Sequence, residues 1–539
     1  MYQIFPDRFA RDSSATAQRG MEHHRRMGQT VHCHAGWDEP VEWQANTPEG
    51  EYAPVDFYGG TLRGIADRLH YLQKLGVTVL YLNPIFESAS NHRYDTGDYR
   101  KVDPILGTNA DFKKLCAAAA DCGIRIVLDG VFAHTGADSR YFNRFRHYPG
   151  CGAYNSHSSV YARWYSFAHY PDDYKCWWDF KGLPAVNAAN PDWRKYMITG
   201  ERSIVKTWLR DGASGWRLDV ADELPDDVLR GMRSAAKETD PDSVLLGEVW
   251  EDAVTKVSYG ERRQYALGDA LDSVMNYPLR DGLVAFLTGR STAHALADLL
   301  LSQRLNYPRP LYYALMNLTA SHDVARTRSA LALDFDPRSR TRAELAALEI
   351  TDAMAARGAQ LQVLAAAVQF WLPGIPSIYY GDETGMQGLC DPFNRAPLQM
   401  CDTQMLQWYA QLTALRHAHP ALTRGEVAVF APAGDVLCVL RVIADGRDAF
   451  GEEAEDEALL LIVNRAAHPV RCHVELTCPG AGLCEETRLA FVRSEYDCAA
   501  DCTDDTHIAI RDGVGAFDLP PHAAKIYRLE NRHGTETGS

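Results

Sequence analysis

The sequence predicts an α/β protein: a closed (β/α)8 TIM barrel with a small domain inserted after its third strand and an antiparallel β-sandwich at its C-terminal end. Three observations carry this expectation. Short β-branched or apolar runs alternate with Ala- and Leu-rich amphipathic runs through most of the chain, the pattern of βα units around a parallel sheet. Asp129 and Asp219, each at the end of such a run, stand 90 positions apart, where a βα unit needs roughly 30 residues. After about Leu422 the helical period ends and short alternating runs take over.

The predicted barrel strands lie, in order, near Tyr2 to Phe5, Val77 to Leu82, Ile124 to Val131, Gly215 to Val220, Val244 to Val249, Ser273 to Tyr277, Tyr312 to Met316 and Ile375 to Tyr380. The barrel is expected over residues 1–422 and the inserted domain over 134–182. The insertion is dense in aromatics, among them Tyr141, Phe142, Tyr148, Trp164, Tyr165, Trp177 and Trp178. Most of them are expected to pack as a small core, with stacking on sugar rings as the other use. The sandwich is expected over 423–530, from the runs Val427 to Phe430, Val436 to Val442, Ala458 to Val463 and His522 to Leu529, with Ala444 to Glu457 as a solvated acidic loop and 531–539 as a disordered tail. Leu361 to Tyr380 is apolar but contains Gln362, Gln369, Pro373, Gly374 and Pro376, so it reads as buried helix, turn and strand and not as a membrane span.

The 539 residues are 46% hydrophobic, enough for a large core, and the formal charge is -16. That charge disfavours a nucleic-acid partner, whose phosphates demand Lys and Arg, and favours a neutral substrate. Thirteen cysteines without framework spacing, and an opening Met1-Tyr2-Gln3-Ile4-Phe5-Pro6 that lacks the features of a secretory signal, point to a reducing cytoplasm.

The chemistry concentrates at strand ends, where barrel proteins keep their reacting groups. In Gly215-Trp216-Arg217-Leu218-Asp219, Arg217 and Asp219 share a face, so the cation is expected to keep the carboxylate ionised, as a nucleophile requires. A plain buried ion pair is the bland alternative. Glu248, in Gly247-Glu248-Val249-Trp250, ends an apolar strand beside an aromatic, where desolvation suits a carboxyl to carry a proton as a general acid. Asp323 follows His322 after a predicted strand, and Asp129 precedes a second strand-end imidazole, His134. The two imidazoles are expected to donate to substrate hydroxyls, and the further carboxylates to stabilise positive charge. A metal held by Asp129, His134, Glu248, His322 and Asp323 competes with this reading but lacks metal-type spacing. The cluster His23, His24, His32, Cys33 and His34 is a weaker metal candidate, set against a merely polar loop.

These four segments, in this order, resemble the four signature regions of the α-amylase family of glycoside hydrolases, family 13. Tyr2-Gln3-Ile4-Phe5-Pro6-Asp7-Arg8-Phe9, Phe57-Tyr58-Gly59-Gly60, Ser90-Asn91-His92-Arg93-Tyr94-Asp95-Thr96, Tyr380-Gly381-Asp382-Glu383 and the Asp222-Glu223 pair are most similar to the neopullulanase, cyclomaltodextrinase and maltogenic amylase group. The resemblance implies a retaining hydrolase of α-1,4 and α-1,6 glucosidic bonds in maltooligosaccharides, pullulan or cyclodextrins. In it Asp219 is the nucleophile, Glu248 the acid/base and Asp323 the transition-state stabiliser. Arg217, His134, His322 and Asp129 would shape the subsite of the reacting glucose, with Tyr94 stacked on its ring. Asp391 and Arg395 would hold the non-reducing side, Trp250 would line the leaving-group side, and Glu223 would select the linkage unless it is only a solvated helix-start residue.

The same chemistry leaves an α-glucan transglycosylase as an alternative, beside a catalytically inactive glycan-binding barrel and, from the carboxylates and imidazoles alone, a metal-dependent hydrolase. No cofactor is expected to be required, with a structural calcium left open. The family's calcium loop is unmatched, with Arg11, Asp12 and Ser13, Thr61 and Ala133 where other residues are common. Many of the group carry an N-terminal β-domain that pairs subunits; this sequence opens on the first strand, so an oligomer stays open.

Overall fold

The computed structural model describes residues 1–48, 50–476, 489–497, 510–511 and 514–531. Eight parallel strands form the barrel: β1 (Tyr2–Ile4), β2 (Val79–Leu82), β3 (Arg125–Gly130), β4 (Gly215–Leu218), β5 (Val244–Gly247), β6 (Ser273–Val274), β7 (Met316–Leu318) and β8 (Ile375–Tyr379). They hydrogen-bond in the order β6-β5-β4-β3-β2-β1-β8-β7. A parallel bridge from Met275 to Met316, with Asn276 N donating to Met316 O at 2.9 Å, joins the remaining edges. Inward side chains, including Tyr81, Val127, Leu246, Met275, Met316 and Leu318, pack the interior, so the barrel is a core and not a pore.

Seven strands fall where the periodicity puts them. The seventh does not: Tyr312 ends a short helix, Arg309–Tyr312, and the strand begins only at Met316. Pro310 in the first turn of that helix suits helix initiation and removes a ladder donor. Tyr312 is buried all the same, so its apolar signal was genuine while its period was misread. The apolar stretch at Leu361 resolves as expected into the helix Asp352–Trp371, a turn and β8. Among the described residues no helix is long and apolar enough to cross a membrane.

Between β3 and β4 the chain leaves the barrel and forms a short hairpin, Phe167–His169 with Asp173–Tyr174. Tyr141, Phe142, Trp164, Tyr165 and Tyr174 are buried there against one another, as expected of a small aromatic core, and Tyr148 is buried as well.

The C-terminal region is two antiparallel sheets. One holds β9 (Glu426–Ala433), β10 (Val436–Ile443), β11 (Glu457–Asn464), β13 (Leu489–Asp497) and β16 (Ala523–Asn531); the other holds β12 (Val470–Glu475), β14 (Ile510–Arg511) and β15 (Val514–Leu519). Alternation assigns the two faces of β10 and β11. Val436, Cys438, Leu440, Leu460 and Ile462 meet Cys472, Phe517 and Leu519 of the second sheet, whereas Leu437, Val439, Leu459 and Leu461 join the core of the barrel. Arg441, fully buried, donates to the carbonyls of Trp371, Leu422 and Gly425, and Trp371 Nε1 donates to Val439 O at 3.0 Å. The expected tail lies, beyond Asn531, outside the described residues.

Candidate active site

The centre is built around Arg217. Its position in the middle of β4 points it into the barrel, and the register sets it beside Asp129 of β3 and Leu246 of β5. One nitrogen, Nη1, donates to Asp129 Oδ1 and Asp219 Oδ1, both at 2.9 Å, and the other, Nη2, pairs with Glu248 Oε2 at 3.0 Å. One buried cation therefore serves three carboxyls from three adjacent strand ends. The expectation that Arg217 holds Asp219 ionised, with a plain ion pair as its alternative, is corrected on both counts: the cation is shared three ways and the carboxyl is not held low. Burial pushes the Asp219 carboxyl well above the usual range; Arg217 opposes this, but Glu248, Asp129 and Asp323 add to it. Asp129 is raised by burial too, although Tyr81 and Tyr94 donate to its Oδ2 at 2.5 and 2.8 Å. Titration here belongs to the cluster as a whole.

Glu248 ends its apolar strand beside an aromatic, as expected, but it is also well supplied with hydrogen-bond donors. Besides Arg217, the backbone N–H of Val220 donates to its Oε2 at 2.8 Å and Trp250 Nε1 donates to its Oε1 at 3.0 Å. The Trp250 indole lies on Tyr277, ring centroids 3.9 Å apart and 4° from parallel, with 37% of the residue exposed. Tyr277 Oη donates in turn to Asp323 Oδ2 at 3.3 Å. Burial and then Glu248 push the Asp323 carboxyl up to about 7.

The two histidines behave differently from each other. Gln3 Nε2 donates to His322 Nδ1 at 2.8 Å, which fixes the proton on Nε2, and that nitrogen lies 2.6 Å from Tyr94 Oη and 3.2 Å from Asp323 Oδ1. Asn83 Nδ2 also donates to Tyr94 Oη, at 2.9 Å, and Tyr94 stacks on His322 with 5° between the rings. His134 instead donates from Nε2 to the Tyr94 carbonyl at 3.2 Å. Its Nδ1 has no partner among the described residues, so it presents an acceptor and not the donor expected. Burial holds both rings neutral, His134 lowered to about 4 and His322 further.

The remaining candidates rim this centre. Arg395 pairs with Asp391 at 2.8 Å and donates to His322 O from Nε and Nη2. Glu223 accepts from Tyr259 Oη at 2.5 Å, while its neighbour Asp222 takes Tyr265 Oη and Lys256. Sequence reasoning missed Gln3, Asn83, Tyr81, Tyr277 and Tyr259. Gln3 sits inside a quoted motif, and a polar residue in the middle of an otherwise apolar barrel strand was the available signal.

The metal readings find no support in the donor sets. Among the described residues no group of three or more His, Cys, Asp or Glu is arranged to hold an ion. His24, His32 and His34 each pair with carboxylates of their own, Asp103, Glu42, and Glu39 with Asp56. The residues at the calcium loop do not fit calcium. The Arg11 guanidinium donates to Tyr58 O, His34 O and Ala35 O at 2.6, 3.0 and 3.1 Å, placing a fixed positive charge on the carbonyls a hard cation would seek. Asp12 is taken by Ser14 and Thr61, and Ala133 offers no side-chain oxygen.

A closed barrel brings four carboxyls, three of them served by the buried Arg217, to the ends of its third, fourth, fifth and seventh strands, a grouping of the kind glycosidic-bond chemistry uses. The chain belongs to the α-amylase family: the family described as "Alpha amylase, catalytic domain" matches residues 3–399. An amylopullulanase of Thermoanaerobacterium saccharolyticum is 35% identical over 519 residues, covering 88% of this chain and 38% of that protein. A cyclomaltodextrinase of Geobacillus thermopakistaniensis is 32% identical over 477 residues, covering 86% and 68%. The solved cyclic α-maltosyl-(1→6)-maltose hydrolase of Arthrobacter globiformis superposes with a TM-score of 0.71 at 27% identity, covering 98% of this chain and 97% of that one. The chain spans only 26% to 38% of the length of the amylopullulanases it matches.

Proposed function

We propose that this chain is a retaining α-glucan hydrolase that cleaves α-1,4 and α-1,6 glucosidic bonds in maltooligosaccharides, pullulan or cyclodextrins. The observation that carries the reading is the Arg217 guanidinium bridging Asp219 and Glu248 from adjacent strand ends. In the first step Asp219 attacks the anomeric carbon while Glu248 gives its proton to the departing glycosidic oxygen. In the second, Glu248 takes a proton from water as that water displaces Asp219. Arg217 holds both carboxyls in place, and Asp129 and Asp323 stabilise the positive charge that develops on the sugar ring. The names of the relatives, amylopullulanase and cyclomaltodextrinase, support the substrate class.

Transfer to a second sugar is the companion reading, favoured by the partly open Trp250 face beside Glu248, which suits an acceptor ring. A reducing cytoplasm is supported by the free thiols of Cys33, Cys151 and Cys401, all exposed, and the lack of a nucleic-acid partner by the charge of -16. The test is hydrolysis of pullulan, maltotriose, panose and cyclodextrin side by side, followed by NMR. Release of the α-anomer first is expected. Release of the β-anomer first, or cleavage of none of the four, overturns the reading.

A further inference from the structure

The chain that returns from the insertion toward the barrel carries two large rings, Trp178 and Phe180, out into solvent against a half-buried third, Trp177. Trp177 stacks with Trp178 at 5.2 Å and 14°, and with Phe180 at 5.9 Å and 24°. Trp178 is 73% exposed and Phe180 59%. Trp178 and Asp179 hold φ of +44° and +63°, a left-handed pair that non-glycine residues adopt only when their surroundings enforce it.

The enforcement is visible. Phe180 N donates to Trp177 O, Leu183 N to Phe180 O and Trp177 N to Leu183 O, each at 2.9 Å, which closes the turn. Thr135 N then donates to Pro184 O at 3.1 Å and Ala137 N to Gly182 O at 2.7 Å, tying the turn to the segment that follows β3. The stack runs inward without a break, since the Trp177 ring lies 5.7 Å from that of His134, whose Nε2 bonds Tyr94 O. Tyr94 Oη reaches Asp129. A strained backbone, rigidly braced, thus spends its strain on keeping rings in water at the mouth of the catalytic centre. Exposed aromatic surface of that kind marks a binding face.

We propose that the Trp177–Trp178–Phe180 stack is a platform for a glucosyl ring of the same glucan chain, extending the cleft past the reacting sugar so that longer chains are preferred. The inference rests on the α-glucan reading above. The occupant follows from continuity with His134 and the catalytic cluster, and from chemistry: a pyranose offers an uncharged C–H face that stacks on an indole.

The experiment compares wild type with Trp178→Ala and Trp178→Phe on maltotriose through maltoheptaose. The alanine variant is expected to lose kcat/KM progressively with chain length, by about tenfold at maltoheptaose and mainly through KM. The phenylalanine variant retains most of it, and both melt like wild type. No loss, or the same loss at every length, overturns the platform. Binding of maltoheptaose to Asp219→Asn protein, read by tryptophan fluorescence, separates the two readings. If wild type cleaves no α-glucan the functional assignment fails, yet weaker binding on adding Trp178→Ala still supports the platform and unaltered binding overturns it. A dimer that dissociates in Trp178→Ala while the length profile stays flat assigns the rings to a second copy of the chain and overturns it as well.

Discussion

The backbone N–H of Val220 donates to Glu248 Oε2 at 2.8 Å, and Val220 does so in a left-handed conformation, φ +40° and ψ +58°. A β-branched residue there is strained by about 1–3 kcal/mol. The residue after the proposed nucleophile is therefore bent out of its preferred geometry in order to hold the proposed acid/base, which couples the two halves of the reaction through one peptide group.

From that coupling, Asp219→Asn and Glu248→Gln should each lower kcat by at least about a thousandfold, because each keeps the shape of the site and removes a charge or a proton the reaction needs. Circular dichroism should be unaltered. Near-wild-type turnover in either variant would sink the assignment of these two residues.

Asp323 yields a prediction about stability. Its carboxyl is raised to about 7 by burial and Glu248, whereas in the unfolded chain it ionises near pH 4. Between those values the folded state binds more protons than the unfolded, so stability is present below about pH 4 and is lost as pH rises toward 7. Asp323→Asn removes the group and should raise Tm at pH 7.5 by a few degrees while raising it little at pH 4.5, with activity lost at both. The side chain is 26% exposed, so water moderates the effect. Equal Tm changes at the two pH values would contradict it.

Calcium should leave the melting temperature unmoved, and EDTA likewise, because Arg11 already supplies the positive charge at the Tyr58, His34 and Ala35 carbonyls. Arg11→Met should lower stability by about 1 kcal/mol at most, because Arg11 is exposed and water can replace it at these carbonyls, read as a drop of a few degrees in Tm. A calcium-dependent rise in Tm of the wild type would show that other residues bind the ion.

Linkage preference should reside in Glu223, whose carboxylate is aimed by Tyr259 Oη. Glu223→Ala is expected to change the ratio of panose to maltotriose cleavage several-fold, a difference of about 1 kcal/mol between transition states. Tyr259→Phe should move the ratio the same way by less. Should both substrates slow together in both variants, Glu223 has no part in linkage selection.

The strand ends were legible because a barrel strand repeats a strong local signal: seven of eight lie where the apolar runs put them, and Asp129, Arg217, Asp219 and Glu248 meet as their positions on those strands require. The failures share a cause. Tyr312 is apolar enough for a strand but is buried by a helix turn, a choice made by Pro310. Which ring nitrogen of His134 is occupied depends on the Tyr94 carbonyl, 40 positions away, and the tautomer of His322 on Gln3, 319 away. Crowding three carboxyls on Arg217 is likewise a property of the register among β3, β4 and β5, which no single segment displays.

Arg441 holds three carbonyls from the barrel side, those of Trp371, Leu422 and Gly425, although it belongs to β10. The end of the long helix that precedes β8, Asp352–Trp371, is thus finished by a side chain encoded some seventy codons downstream. A gene fragment that stops after the barrel would leave those carbonyls bare and uncover the apolar barrel surface on which Leu437, Val439, Leu459 and Leu461 pack, so recombination that swaps barrels must carry this sheet along. The unit that evolution can move intact is the barrel and its sheet together.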